Sequence, residues 1–139
     1  MKLSIATLLC IVFASIPSVR AEVPNLRKDK LQEFSTHIVV GTVKLIAAEE
    51  DKSDRFINKV GVVEIRITKV EKGEKIETGD SIYARFWTQG FIGKGPPPPG
   101  SAGHLLPKKG DSVRAYLEKK DGGFDALLPN GFEVIAKPK

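Results

Sequence analysis

From residue 37 onward, hydrophobic and polar residues alternate with a period of two over most of the chain. A strand that buries one face and exposes the other requires this alternation, because successive side chains point to opposite faces. The pattern predicts strands at residues 37–48, 56–70, 81–88, 112–119, 124–128 and 132–135. In the first of these the inward set is Val39, Val43, Leu45 and Ala47, with Gly41 in phase, and in the second it is Ile57, Gly61, Val63, Ile65 and Ile67.

The two predicted strands at 81–88 and 112–119 have similar patterns and begin after the same kind of Gly-Asp turn. On each of them the inward positions are apolar, while the outward positions combine aromatic and charged residues. The inward set is Ile82, Ala84 and Phe86 in one strand, and Val113, Ala115 and Leu117 in the other. The outward set is Tyr83, Arg85 and Trp87 in one strand, and Arg114, Tyr116 and Glu118 in the other.

Two other segments do not follow this period. Residues 25–35 have the spacing of one short helix, with Asn25 as its cap and Leu26, Leu31 and Phe34 on its apolar side. Residues 89–110 form a long loop, since 11 of the 22 are Gly or Pro, four of them in the run Pro96-Pro97-Pro98-Pro99. A loop of this length in a compact domain is usually functional or disordered, and consecutive prolines favour an extended, stiff segment.

These elements predict a mostly β fold: a small antiparallel barrel of five to six strands with one short N-terminal helix. The chain resembles the netrin/tissue-inhibitor-of-metalloproteinase type of oligonucleotide/oligosaccharide-binding (OB) barrel between residues 37 and about 135. That family inhibits proteases through an N-terminal cysteine that binds the protease metal. This chain lacks such a cysteine at the expected mature start, Glu22, so inhibition cannot be transferred to it. The residues that carry the resemblance are Val39-Val40-Gly41-Thr42-Val43, the strand 63–70 followed by Lys72-Gly73 and Gly79-Asp80, and the strand 113–117 followed by Asp121-Gly122-Gly123.

The first 21 residues have the layout of a secretory signal peptide. Lys2 precedes an apolar run over residues 3–16, and Val19-Arg20-Ala21 offers small residues where a signal peptidase cleaves. The run is too short to span a bilayer as a helix, so we expect cleavage before Glu22 and no stable membrane span afterwards. The protein is therefore expected to be exported, either secreted or periplasmic. We divide the chain into this signal (1–21), an N-terminal helical segment (22–36) and a barrel domain (37–139).

Cleavage changes both the charge and the thiol content of the chain. The net charge falls from +5 to +3 because Lys2 and Arg20 are removed, and the only cysteine, Cys10, is removed with them. A small positive excess does not indicate nucleic-acid binding. A domain without cysteine must be held by its hydrophobic core, without disulfides or thiol chemistry.

The candidate ligand-binding residues are the outward aromatic and basic side chains, together with the loop histidine. Arginine guanidinium groups stack on aromatic rings, and exposed aromatics on barrel sheets stack sugars or bases. We expect these residues to form one surface of a non-enzymatic binding module whose partner is a cell-envelope protein or a polysaccharide. The alternative is that the Pro-rich loop covers Trp87 and the aromatics are structural. The candidate set is Arg66, Tyr83, Arg85, Trp87, His104, Arg114 and Tyr116.

Two further alternatives remain at this level. A small enzyme could use His104 with an acid such as Asp111 or Asp125, although no catalytic motif supports it. The Pro-rich loop could instead be the ligand, docking as a polyproline helix into an envelope protein. Catalytic residues, a metal site and a cofactor are not expected, because no phosphate loop, nucleophile motif or His/Cys cluster occurs in the sequence.

Overall fold

The structure, a computed structural model, describes residues 24–97 and 103–139. The predicted signal at 1–21 and the prolines at 98 and 99 lie outside these residues. Within them, no helix is long and apolar enough to cross a membrane. The elements in chain order are α1 (Lys28–Phe34), β1 (His37–Lys52), β2 (Phe56–Lys72), β3 (Ser81–Phe91), β4 (Ser112–Lys120), β5 (Gly123–Ala126) and β6 (Phe132–Ala136).

Five strands close into a barrel in the order β1-β2-β3-β5-β4, and β4 pairs back onto β1. The sixth strand, β6, is an outer strand that pairs with the first half of β4. The β-barrel and the single short helix are thus as the sequence predicts within the described residues. All six predicted strands are present; β1 and β3 extend further than the alternation indicated, and β5 ends at Ala126 instead of continuing to residue 128.

The prediction of a wholly antiparallel barrel is wrong, because β3 and β5 pair in parallel at Ala84↔Phe124 and Arg85↔Asp125. The other pairings in the barrel are antiparallel. A closed ring with an odd number of strands cannot alternate direction throughout, so at least one neighbouring pair must be parallel. The sheet is therefore mixed.

The core fills the barrel interior mostly with alanine and branched aliphatic side chains. Val39, Val63, Ala84, Val113 and Leu117 are completely buried. Branched side chains fit a narrow barrel because they pack closely on a pleated surface. Each position belongs to the inward set that the alternation predicts for its strand, so the hydrophobic period determines which side chains fill the interior.

A register shift in β1 overturns part of the predicted inward set. Val43 lies opposite Ile65 and Leu45 lies opposite Glu64, which leaves Lys44 as an extra residue in β1. Such a bulge reverses the side-chain phase of all later residues. Leu45 is therefore 48% exposed, whereas Ile46 packs against the core. Ala47 is exposed too, so the inward assignment of positions 45 and 47 is wrong.

The helix packs on the outside of the barrel against β1 and β4. Leu31 is buried in a second small cluster with Ile38 and Tyr116. The helix begins at Lys28 after an Arg27 cap that makes no side-chain hydrogen bond, so Asn25 is not the cap that the sequence suggested. Phe34 is half exposed, and only part of the predicted apolar stripe is covered.

Three strands continue beyond the closed barrel. The pairing of β1 with β4 ends at Thr42↔Ser112, while the pairing of β1 with β2 continues to Lys52↔Ile57. On the other side of β2, the pairing with β3 continues to Phe56↔Phe91. Residues 45–52, 56–61 and 86–91 thus form a three-stranded extension, which we call the projecting sheet.

Candidate functional site

The outer side of β2 and β3 carries an open aromatic and apolar surface, which we call the Trp87 face. Trp87 is 41% exposed and Tyr83 is 52% exposed on the same side of β3. Val60 lies directly opposite Trp87 in the β2–β3 ladder and is 63% exposed. A tryptophan, a tyrosine and a valine thus share one solvent-exposed face, and this face is the candidate functional site.

A groove of about 560 Å³ runs beside Trp87 between β3 and the segment that follows β5. Strand β5 ends at Ala126, so the β3–β5 ladder stops while β3 continues to Phe91. The two backbones then separate, and the space between them is the groove. The groove is lined by Val60, Arg85, Phe86, Trp87, His104, Glu118, Asp125, Ala126, Leu127 and Leu128.

Arg85 holds one rim of this groove in place. Its Nε donates to Oδ1 of Asp125 on β5, and its Nη2 donates to the carbonyl oxygen of Lys120 at 2.5 Å. The two side chains of the ion pair are 39% and 38% exposed. Because the guanidinium is planar and fixed at two points, its orientation at the rim of the groove is defined.

His104 links β3 to the end of β5 through hydrogen bonds to backbone atoms. Its Nδ1 lies 3.1 Å from the Trp87 backbone nitrogen, and its Nε2 lies 2.7 Å from the carbonyl oxygen of Ala126. A proton on Nε2 and a lone pair on Nδ1 satisfy both contacts, since Nδ1 then accepts from the Trp87 N–H and Nε2–H donates to Ala126. The Trp87 carbonyl oxygen also lies 3.1 Å from Nδ1 and accepts the His104 backbone N–H. The ring is 7% exposed. His104 thus joins β3 to Ala126, where the backbone hydrogen bonds between β3 and β5 have ended.

The Gly/Pro-rich loop returns to β3 beside Trp87. Gly103 forms a β-bridge with Thr88, and the His104 N–H donates to the Trp87 carbonyl oxygen at 2.9 Å. A Cβ at Gly103 would lie 2.4 Å from that carbonyl oxygen and 2.9 Å from Cε3 of the Trp87 ring, and its φ is +70°. Only glycine fits this close approach. The loop therefore supports one edge of the indole ring, while 41% of Trp87 stays exposed.

Arg66 lies on the same outer side, toward the other end of the Trp87 face. It pairs with Ser81 in the β2–β3 ladder, two residues before Tyr83, and its side chain is exposed. Of the residues singled out in the sequence, Arg66, Tyr83, Arg85 and Trp87 thus lie on the outer side of β2 and β3, and His104 lines the groove beside Trp87.

Arg114 and Tyr116 are not part of this surface, and the expectation of a single shared face is wrong for them. Both lie on the outer side of β4, which is separated from β3 by β5 in one direction and by β1 and β2 in the other. Tyr116 is 1% exposed because α1 covers it. The alternation correctly predicted that its side chain points out of the barrel, but it could not show that a helix packs there.

A charged network holds the β4 side together. Arg114 Nε donates to Glu71 Oε1 at 2.5 Å, and its Nη1 donates to Glu133 Oε2 at 3.2 Å. The hydrogen bond to Glu71 is the main reason that the pKa of Arg114 is raised above its usual value. Burial raises the pKa of the Tyr116 hydroxyl, which also donates to Glu133 at 3.2 Å. These groups are engaged with one another, which indicates a structural role.

The acids proposed as partners of His104 are engaged elsewhere. Asp111 is buried, and its Oδ2 accepts the Lys108 backbone N–H at 2.8 Å in a turn. Asp125 is paired with Arg85. Within residues 24–97 and 103–139, no carboxylate is hydrogen-bonded to the His104 ring, and no group of three His, Cys, Asp or Glu is arranged to hold a metal ion.

Sequence reasoning missed the apolar part of the groove, including Val60, Leu127 and Leu128. Val60 gave a signal, because it is an apolar residue at an outward position of the strand 56–70. The two leucines gave none, since their place depends on where β5 ends and the chain turns away from β3.

In comparisons with known proteins, no family model, curated protein or solved structure matches this chain significantly. The class of protein is therefore defined by the fold alone, as a closed five-stranded β-barrel with one outer strand and a short external helix.

Proposed function

We propose that this protein is an exported, non-enzymatic binding module of OB-like architecture, and that it holds a carbohydrate chain on the Trp87 face. The observation that carries the proposal is the exposure of Trp87 beside a groove with an apolar floor and a charged rim. The signal-like leader supports an extracytoplasmic location, where polysaccharides are abundant ligands.

Both parts of the surface suit a sugar ring. The C–H face of a sugar packs on an exposed aromatic ring, and the indole of Trp87 offers such a ring at the edge of the groove. The ring hydroxyls need donors and acceptors in fixed positions, which Arg85, Asp125 and Glu118 supply along the rim. The Arg85–Asp125 pair is already oriented by its own hydrogen bonds, so ordering it on binding costs little entropy.

The length of the Trp87 face favours an oligomer over a single sugar. Tyr83 and Trp87 lie four residues apart on β3, about 13 Å along the strand. Phe91 follows after another four residues, where its ring contacts that of Phe56 with centroids 5.6 Å apart. An extended ligand along β3 would meet an aromatic side chain at each of these positions.

Trp87 also provides the test, because it is the only tryptophan of the chain. We expect its fluorescence to change in a saturable manner on titration with at least one soluble oligomer of glucose, xylose, mannose or N-acetylglucosamine. Replacing Trp87 with Ala should weaken retention of that oligomer in affinity electrophoresis about tenfold, which is the loss expected for one stacking contact.

The matched control is Phe34→Ala, which removes another half-exposed aromatic ring that does not line the groove. It should leave retention unchanged. If no oligomer alters the emission and Trp87→Ala is retained as well as the unsubstituted protein on every polysaccharide, the proposal fails.

A second candidate function is docking of the Pro-rich loop into a partner protein of the cell envelope. It is favoured by Pro96 and Pro97, which are both exposed at the point where the loop leaves the projecting sheet. A peptide of polyproline conformation is recognised by aromatic grooves in partner proteins. Replacing the four prolines with a Gly/Ser segment of equal length would abolish capture of an envelope protein under this hypothesis and leave carbohydrate binding intact.

A further inference from the structure

A second concave site lies at the end of the barrel where the projecting sheet begins. Its base is the turn that leads into β4, where the Val43 backbone exchanges hydrogen bonds of 2.8 and 2.9 Å with Gly110 and Asp111. The residues that follow β6 pack on this turn, and a Cβ at Gly110 would lie 3.2 Å from Cγ of Pro138. A cavity of about 440 Å³ opens here, which we call the lysine cavity. Its lining includes Leu106, Lys108, Lys109, Val134, Lys137 and Pro138.

Most of the net positive charge of the chain lies around this cavity. Asp111 also lines it, but this carboxyl is 5% exposed and accepts the Lys108 backbone N–H at 2.8 Å. Asp111 and the five lysines at this end account for +4 of the net charge of +5, so the rest of the chain is nearly neutral. Such a concentration of charge attracts anionic ligands. Three of the lysines line the cavity and two are next in sequence to Val43 and Pro138: Lys108, Lys109 and Lys137, and Lys44 and Lys139.

The ammonium groups that line the cavity are available to a ligand. Lys108, Lys109 and Lys137 are exposed, and none of them forms an ion pair in the part of the chain that the structure describes. Arg114, in contrast, is held by two carboxylates. Lysine is a mobile point charge without the fixed planar fork of arginine. The cavity therefore suits anionic groups repeated along a chain better than one anion in a fixed orientation.

The remaining lining of the lysine cavity is aliphatic. Leu106, Val134 and Pro138 supply it, and Val134 is 42% exposed. Among the described residues, no aromatic side chain lines this cavity. Proteins bind the bases of single-stranded nucleic acids largely by stacking them on aromatic rings, so this lining disfavours a nucleic acid. Aliphatic groups beside ammonium groups suit a ligand that has both C–H surfaces and negative charges.

A second cavity of about 300 Å³ adjoins the first, and Leu106 lines both. It lies against the projecting sheet, and its lining includes Ile57, Lys59, Thr88 and Gly90. Lys59 is 3.7 Å from a carboxylate oxygen of Glu50, so these two charges balance. Thr88 offers a hydroxyl group. The two cavities together form an elongated surface that is basic at one end and polar without net charge at the other.

The projecting sheet limits which partners can reach the lysine cavity. Residues 45–52 of β1 continue for about 25 Å beyond the point where the β1–β4 pairing ends. The turn with Lys108 and Lys109 lies at that point. A flat membrane surface would therefore meet the projecting sheet before it reached these lysines. An extended polymer can lie in the angle between the sheet and the end of the barrel.

We propose that the two cavities bind an acidic polysaccharide, a chain of sugars with regularly spaced anionic groups. The lysines contact the anionic groups, and the aliphatic residues pack against the C–H faces of the sugar rings. Thr88 and the Lys59–Glu50 pair form hydrogen bonds with hydroxyl groups. Trp87, Tyr83 and Val60 line neither cavity, so the inference is independent of the proposed function.

Polygalacturonate tests the requirement for charge, because methyl esterification removes its charges and keeps its sugar backbone. We expect at least one of three immobilised acidic polymers, polygalacturonate, hyaluronate and dextran sulfate, to retain the protein at low salt. Methyl-esterified polygalacturonate should not retain it, and added salt should weaken the retention because exposed charges are screened. Retention by none of the acidic polymers, or equal retention by the esterified one, would overturn the proposal.

A triple variant tests the location of the site. Lys108, Lys109 and Lys137 are all changed to Gln, which removes three charges and keeps the length of the side chains similar. An exposed charge contact contributes about a twofold factor in affinity, so the triple variant should bind the acidic polymer about tenfold more weakly. An unchanged affinity would show that the polymer binds elsewhere.

The control removes the same charge at exposed positions that line neither cavity: Lys69, Lys75 and Lys119 are changed to Gln. It should bind like the unsubstituted protein. An equal loss in both triple variants would mean that net charge, and not the cavity, attracts the polymer.

Two further comparisons separate the class of ligand and the site. Poly-L-glutamate carries repeated carboxylates without sugar rings and should bind more weakly than the acidic polysaccharide; equally tight binding would assign the site to acidic peptides instead. Trp87→Ala should leave binding of the acidic polymer unchanged, since the indole lines neither cavity. A loss in this variant would place the polymer in the groove beside Trp87 and overturn the second site.

Discussion

The outer sides of β3 and β4 have nearly the same sequence pattern but different environments. Tyr83 on β3 is 52% exposed, whereas Tyr116 on β4 is 1% exposed. Tyr83 lies between Ile82 and Ala84, and Tyr116 lies between Ala115 and Leu117, all of which fill the barrel. The difference arises from a distant segment, since α1 packs on β4 and leaves the Trp87 face open. Strand alternation determines which side chains leave the core, and the rest of the chain determines which of these are covered.

The largest expected difference is in the stability cost of removing the two tyrosine rings. Tyr116→Ala should lower the free energy of unfolding by about 4 kcal/mol, because it leaves a cavity between the helix and β4. Tyr83→Ala should change it by about 0.5 kcal/mol or less, as is usual for exposed positions. Urea denaturation of both variants measures the comparison. Similar values for the two would mean that the helix does not cover Tyr116.

The second largest loss of stability is expected where His104 links β3 to the end of β5, beside the Trp87 face. His104→Ala removes the ring that bonds to the Trp87 N–H and the Ala126 carbonyl oxygen, and leaves both groups without their partner. We expect a loss of about 2 to 3 kcal/mol in urea denaturation, together with altered Trp87 emission in the folded variant. Unchanged stability and emission would contradict the assigned role of His104.

A smaller difference between the two tyrosines is expected in the pH dependence of stability at alkaline pH. Burial raises the pKa of Tyr116 above its usual value of 10.0. The folded state then keeps its proton where the unfolded state loses it, so the stabilising contribution is complete below pH 10 and declines as the pH rises through the folded-state pKa. Tyr116→Phe should flatten the fall in stability measured between about pH 9 and 11.

The matched variant for this measurement is Tyr83→Phe, which removes a hydroxyl from the open face. It should leave the pH dependence as it is in the unsubstituted protein. A flattening of equal size in both variants would show that the buried environment of Tyr116 is not its cause.

Much of the fold follows from the sequence because alternation and turn chemistry are local signals. The period of two identified all six strands and the core positions of β2, β3 and β4. It failed in β1 beyond Val43, because the bulge at Lys44 reverses the phase and leaves no mark in the composition. The parallel β3–β5 pair was missed for another reason, since it results from closing an odd number of strands into a ring.

The candidate site was predictable only in part. The outward positions of Tyr83, Arg85 and Trp87 follow from strand phase, which is a local property. The covering of Tyr116, the engagement of Arg114 with Glu71 and the backbone contacts of His104 are tertiary, because each depends on a segment far away in the chain. The Arg85–Asp125 pair likewise requires the parallel contact between β3 and β5, which the alternation could not indicate.

The most direct test of the account is the solvent accessibility of Trp87 in the folded protein without ligand. Because no other tryptophan is present, steady-state emission and acrylamide quenching report on this ring alone. An open Trp87 face predicts emission between the buried and fully hydrated limits and efficient quenching in the native state. A blue-shifted emission that acrylamide does not quench until the protein unfolds would show that the ring is covered, and the proposed binding surface would not exist.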